Sequence, residues 1–160
     1  MKQFTDAAVL AAKEKFEELI RGEETRISCM EESETPLDFT ALDSIVVGVM
    51  PGDGIGPILM PLALKVMKAL MGEELRMGRI VLKEIEGMTI ENRVAKMESL
   101  PEECLKEIKK CHVLLKGPMT TPRAGDGLPN LVSANSMLRR SLDLCAAVRA
   151  VTIREKGISW

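Results

Sequence analysis

The chain has 160 residues, 46% of them hydrophobic and 29% charged, a balance typical of about one globular domain. Its 22 Lys and Arg stand against 24 Asp and Glu, which leaves −2 and excludes the basic excess of a nucleic-acid-binding protein. The longest uncharged stretch, 127–138, has 12 residues where a membrane span needs roughly 18 or more, and Asp6 with Lys13–Lys15 interrupts any apolar leader, so a cytoplasmic protein is expected.

The first predicted element is a helix capped by Thr5 or Asp6, with Val9, Ala12, Phe16, Leu19 and Ile20 on one face. Gly22 supplies a stop signal, and the acidic stretch 23–40 with Pro36 reads as a linker. Residues 1–40 are therefore a helical extension and linker on a main domain that starts near residue 41.

The pattern then changes. Ser44–Val49 is the short β-branched run of a buried parallel strand. A glycine turn follows over 51–56, and Pro57 opens a helix to about Met71 with Gly72 as its stop and Pro61 near its first turn. Ile80–Ile85 reads as a second strand, Ile90–Met97 as a short helix, and Pro101 as the start of another helix carrying Leu105 and Ile108. His112–Leu115 is a third strand, followed by a Gly-, Pro- and Thr-rich loop over 119–130 and a helix from about Ser133 to Leu144. Short apolar strands alternating with helices indicate an α/β sheet with crossover connections.

Four cysteines, Cys29, Cys104, Cys111 and Cys145, form no C-x-x-C pair and are expected as reduced thiols. His112 is the only histidine, so zinc is not expected. It reads as a strand-edge or core residue, and Cys145 as a small buried hydrophobe. Three Phe, one Trp and no Tyr leave little for base stacking, and the 11 Met are expected to fill much of the core.

Three stretches are candidates for chemistry. Gly52-Asp-Gly-Ile-Gly56 lies between a strand and a helix but has the spacing G-x-G-x-G, not the dinucleotide fingerprint. A tight turn with an acidic residue explains it better, and a nucleotide-binding module rests on this loop alone. Lys116-Gly-Pro-Met-Thr-Thr-Pro122 follows a strand, at the sheet end where open α/β folds bind ligands. Its hydroxyls and cation suit a polar or anionic group, and a proline-braced turn explains it equally well. Ser133-Ala-Asn-Ser-Met-Leu-Arg-Arg140 could begin with a helix cap over an anion, and Asn135 and Arg139 share one helix face. With Arg149 these residues suit a substrate with several carboxylates. A solvated face with an Arg139–Asp143 pair fits the same residues slightly better on physics alone.

In this order the three stretches, followed by Leu142-Asp-Leu144 and Val148-Arg149, resemble the isocitrate/isopropylmalate dehydrogenase family of β-decarboxylating dehydrogenases. The resemblance runs from about Asp43 to Trp160. It implies a three-layer α/β/α fold, of which 41–150 would be the first part of the large domain and 151–160 the start of a missing second domain. It implies oxidation of a 2-hydroxy acid by hydride transfer to NAD or NADP, with loss of carbon dioxide and a magnesium or manganese ion as Lewis acid. Ser133, Asn135, Arg139 and Arg149 would bind substrate carboxylates, and Thr120 and Thr121 would lie between substrate and cofactor. Ser133 and Asn135 look like the isocitrate branch, which yields 2-oxoglutarate in the tricarboxylic acid cycle. Isopropylmalate, homoisocitrate and tartrate stand behind isocitrate.

The chain departs from the family at Cys145, where an aromatic residue is usual, at Ala147 for Asn and at Ala150 for Pro. The family's catalytic tyrosine and lysine and its metal-binding aspartates fall beyond Trp160. No catalytic residue or metal ligand is therefore expected here, and the isolated chain is expected to be inactive. The implied partners are a tricarboxylate substrate, a carboxyl-terminal portion or subunit, and a second copy in a homodimer once complete. The alternative is a non-catalytic fragment that binds di- or tricarboxylates or regulates a dehydrogenase.

Overall fold

The computed structural model describes residues 4–32, 36–123 and 125–150, so the expected start of a second domain at 151–160 lies outside the described residues. The chain divides after Ala41 into two compact units.

The first unit is built on one helix, α1 (Asp6–Glu32). Thr5 caps it, its hydroxyl accepting from the Ala8 N–H at 3.3 Å. The expected stop at Gly22 does not occur, and much of the expected linker is helix. A mid-helix glycine costs about 1 kcal/mol. Ion pairs on either side offset part of that: Arg21–Glu17 at 2.6 Å and Arg26–Glu23 at 2.8 Å, each worth about 0.2–0.5 kcal/mol on a helix surface.

The second unit is an α/β fold. It contains β1 (Ile45–Met50), α2 (Gly56–Leu70), α3 (Gly72–Arg76), β2 (Ile80–Glu84), α4 (Ile90–Lys96), α5 (Glu102–Ile108), β3 (Val113–Lys116) and α6 (Ala134–Ser141). The strands form one parallel sheet in the order β2-β1-β3, with Ile45 opposite Ile80 and Val47 opposite Val113. The helix expected to stop at Gly72 breaks one residue earlier, at Met71, and Gly72 begins the short α3 instead. Pro61 lies inside α2, just past its first turn.

Alternation along β1 directs its side chains to opposite faces. Met50 joins a core with Ile85, Met88, Cys104, Ile108, Met119, Ala134 and Leu138, which brings α5 and α6 onto that side. Gly48 also points there, and any Cβ would meet Cys111 Sγ at 2.9 Å. Val47 and Val49 are buried on the opposite side, and Val49 lines a groove with Met60 and Leu64 of α2. Methionine therefore does fill core space, as Met50, Met60, Met88 and Met119 are all buried. The outer face of α2 stays apolar and exposed at Ile58, Leu62, Val66 and Leu70.

The four thiols are free. Burial pushes the Cys104 and Cys111 thiols up. Cys145 is exposed, against the expectation of a small buried hydrophobe, because α6 ends at Ser141 and the chain beyond it leaves the core. His112 behaves as the strand-edge residue expected. Its N–H donates to the Val46 carbonyl and its Nδ1 accepts from the Val46 N–H, both at 2.9 Å.

One charge cluster ties β2 to α5. Glu107 lies 2.5 Å from both Lys83 and Lys110. The hydrogen bonds from Lys110 and then Lys83 pull its carboxyl down to about 2. A lowered acid stabilises the fold fully above its ordinary value near 4.5 and loses that contribution as pH falls toward 2. Glu107→Gln should therefore flatten the acid limb of stability across that window. Urea melts followed by circular dichroism at pH 5, 4 and 3 check this, and parallel curves for the two proteins would refute it.

Candidate functional site

Three segments meet at the carboxyl end of β1 and β3. The glycine turn after β1 packs against the Lys116–Pro122 segment after β3. The Gly117 N–H donates to the Met50 carbonyl at 2.8 Å, and the Asp53 N–H to the Pro118 carbonyl at 2.8 Å. Space for a Cβ is missing at three glycines: at Gly52 it would strike the Pro118 carbonyl, and at Gly56 and Gly117 the Pro51 carbonyl. These glycines admit the protein's own backbone, not a ligand, and Gly54 faces open space. The turn is thus a structural seam, in line with the plainer reading of its spacing.

Asp53 is the centre of that seam. It is 6% exposed, and its carboxylate takes three donors. Oδ1 accepts from the Ile90 N–H at 2.5 Å, which ties down the start of α4. Oδ2 accepts from the Thr120 N–H at 3.0 Å and from Arg93 Nη2 at 2.7 Å. Arg93 is fully buried at 0% exposure and also donates to the Thr120 carbonyl at 2.7 Å and to the Met88 carbonyl at 3.2 Å. Arg93 Nη1 has no hydrogen-bond partner among the described residues.

Sequence reasoning missed Arg93. Nothing in the spacing of α4 distinguishes this buried cation from Lys96, which is exposed on the same helix.

The residues singled out from sequence fall into two groups. Thr120 and Thr121 are exposed and line a shallow cleft with Met119, Arg123 and Asp126. Asn135 and Arg139 of α6 line a separate cleft of about 680 Å³ with Lys116 of β3 and His112. Partial burial, and then the Arg139 guanidinium, lower the pKa of Lys116. An anion bound beside the two cations would relieve that repulsion. Asn135 Oδ1 is buried without a hydrogen-bond partner among the described residues, so an unused acceptor stands in the same group.

Ser133 takes the N-cap position of α6, but its side chain makes no capping bond, contrary to the cap considered from sequence. Its φ of −55° and ψ of 120° are compatible with an N-cap, and the hydroxyl is left for other partners. Arg149 is exposed beyond α6 and lines neither cleft. Among the described residues no group of three His, Cys, Asp or Glu could hold a metal ion. No helix among them is long and apolar enough to cross a membrane.

Comparison with known proteins places the chain in a family. Residues 46–159 match the family model described as isocitrate/isopropylmalate dehydrogenase. The chain is similar to the isocitrate dehydrogenase [NADP] of Haloferax volcanii, 36% identical over 114 residues, covering 70% of this chain and 25% of that protein. The isocitrate dehydrogenase [NADP] of Archaeoglobus fulgidus is 35% identical over 112 residues, covering 68% and 25%. A mitochondrial protein of Arabidopsis thaliana named isocitrate dehydrogenase [NAD] regulatory subunit 2 is 36% identical over 104 residues, covering 64% and 23%. The chain thus spans about a quarter of the length of these curated relatives. With most of its length inside the family model, and the seam and the α6 cleft inside the matched residues, the chain belongs to the isocitrate/isopropylmalate dehydrogenase family of oxidoreductases.

Proposed function

We propose that the chain is the amino-terminal portion of an NAD- or NADP-dependent enzyme that oxidises and decarboxylates isocitrate to 2-oxoglutarate. The observation that carries this reading is the Lys116, Asn135 and Arg139 group in one cleft, within a chain similar to proteins named isocitrate dehydrogenase. Two cations in one cleft suit a substrate bearing three carboxylates. The Asn135 acceptor suits the substrate's hydroxyl, and the uncapped Ser133 hydroxyl offers one more donor at the start of α6. Sheet faces lined on one side by α2 and on the other by α5 and α6 support completion as a three-layer α/β/α domain.

Bound nicotinamide would accept the hydride from the substrate carbon. Thr120 and Thr121 suit contact with it, since both are exposed and line a cleft of their own with Arg123, while the backbone of Thr120 is held by Asp53 and Arg93. The family's magnesium or manganese ion does not fit the described residues, which offer no ligand group. No step here is routed through it, and its ligands would come from a carboxyl-terminal portion or a partner chain. The 2-fold assembly proposed for the completed enzyme is a homodimer.

A second reading is a regulatory, non-catalytic carboxylate-binding chain, favoured by the similarity to the Arabidopsis protein named a regulatory subunit. Isothermal titration of the chain with isocitrate, paired with a turnover assay, separates the two. The Arg139→Ala chain should bind isocitrate about 10- to 150-fold more weakly, the loss of one charged hydrogen bond at about 1.5–3 kcal/mol. Equal heats from both chains would show that the α6 cleft is not the carboxylate site. Binding with no turnover after a carboxyl-terminal portion is supplied would favour the regulatory reading.

A further inference from the structure

We propose that Arg93 is a positioning residue that sets the backbone of Thr120, and through it the place of the Thr120 and Thr121 hydroxyls. The inference rests on the reading of those hydroxyls as the contact between substrate and cofactor. Thr120 stands in a segment with no helix or strand ladder of its own, between Pro118 and Pro122. Both of its backbone polar groups are nonetheless taken by one buried ion pair. Its N–H donates to Asp53 Oδ2 at 3.0 Å, and its carbonyl accepts from Arg93 Nη2 at 2.7 Å.

The pair has no route to solvent. The Arg93 side chain is 0% exposed and the Asp53 side chain 3%. A buried pair of this kind is a poor source of net stability, because well-packed apolar residues often do as well. Its distinctive property is direction. One Nη2 serves Asp53 and Thr120 together, while Nε anchors the same guanidinium to the Met88 carbonyl ahead of α4. The plane of the fork is therefore fixed by α4 and the glycine turn, and Thr120 is held against it. Thr120 itself is exposed, so the held backbone carries an outward hydroxyl. Groups that meet a substrate need this kind of support from behind.

The side chain of lysine is one bond shorter than that of arginine and has no fork. Arg93→Lys keeps a cation opposite Asp53 while withdrawing the contact to the Thr120 carbonyl. Asp53→Asn keeps the shape and removes the charge and one strong acceptor. Hydrogen exchange of the full chain, read by mass spectrometry, tests both variants beside a matched core variant, Ile108→Val. Exchange in 117–123 should rise about tenfold in Arg93→Lys, with β1 and α5 within about twofold of the unaltered chain, while Asp53→Asn, which also leaves the buried guanidinium without its counter-charge, should raise it further in 117–123 than in β1 and α5. Ile108→Val should instead raise exchange across β1 and α5 together. Unchanged protection of 117–123, or loosening that spreads equally through β1 and α5 in both pair variants, would overturn the positioning role. Titration with isocitrate on the same samples keeps the two claims apart. No heat from the unaltered chain would overturn the proposed substrate, while the exchange pattern alone decides the role of Arg93.

Discussion

Asp53→Ala is expected to lower the stability of the α/β unit by about 3–5 kcal/mol, the cost of leaving a buried guanidinium without its counter-charge. The effect follows from where Arg93 sits. At 0% exposure it cannot turn to water, and Nη1 already lacks a partner among the described residues. The change also removes the acceptor for the Ile90 and Thr120 N–H groups. A loss of that size is a large share of the roughly 5–15 kcal/mol available to a domain. Lys106→Ala makes a useful contrast. It breaks an exposed i,i+4 pair with Glu102, at 2.8 Å, and should cost no more than about 1 kcal/mol. Urea denaturation of both variants reads the difference, and two similar midpoints would show that the Asp53–Arg93 pair is replaced locally by water or by rearrangement.

Gly117→Ala should be strongly destabilising, at about 3 kcal/mol or more, the upper range for overpacking. Its Cβ would collide with the Pro51 carbonyl, and Gly56 Cα lies 3.3 Å away. Both obstacles are backbone, so neither can swing aside. The strand ends would have to separate, and the bonds from Gly117 to Met50 and from Asp53 to Pro118 would stretch with them. Gly54→Ala is the informative partner. It meets open space but has φ of +59°, so only the left-handed penalty of about 1–2 kcal/mol applies. Thermal melts of the two variants should rank Gly117→Ala well below Gly54→Ala. The reverse order would mean that the seam between the two loops yields easily.

The three strands were legible because each is a short β-branched or leucine run between turn residues, and that signal is local. The ends of the helices were less so. α1 passes Gly22 with ion pairs on its surface offsetting part of the cost of one glycine, and no composition rule sets those terms against each other. α6 stops at Ser141 because Asp143 turns left-handed at φ of 49°, which a pattern of apolar spacing does not report. At the candidate site, Asn135 and Arg139 could be placed on one face from helical spacing alone, and the structure puts both in one cleft with Lys116. Arg93 was invisible for a different reason. Its meaning lies in two residues of distant loops, and a buried cation leaves no periodic mark. The Gly-Asp-Gly motif held half of the information, and its counter-charge could be found only in three dimensions.

The partners of the Asp53 carboxylate stand 37, 40 and 67 positions away along the chain. Closing loops of that length precedes any return from the contacts, so the cluster is expected to form together with the parallel sheet, which spans the same separations, and not before it. α1, with its ion pairs three and four residues apart, can form far earlier on its own. Contacts made after the transition state slow unfolding and leave the folding rate nearly unchanged. The Thr120 segment can be set in place only when the glycine turn, α4 and the end of β3 have met, so its hold should be felt mainly in the rate of unfolding.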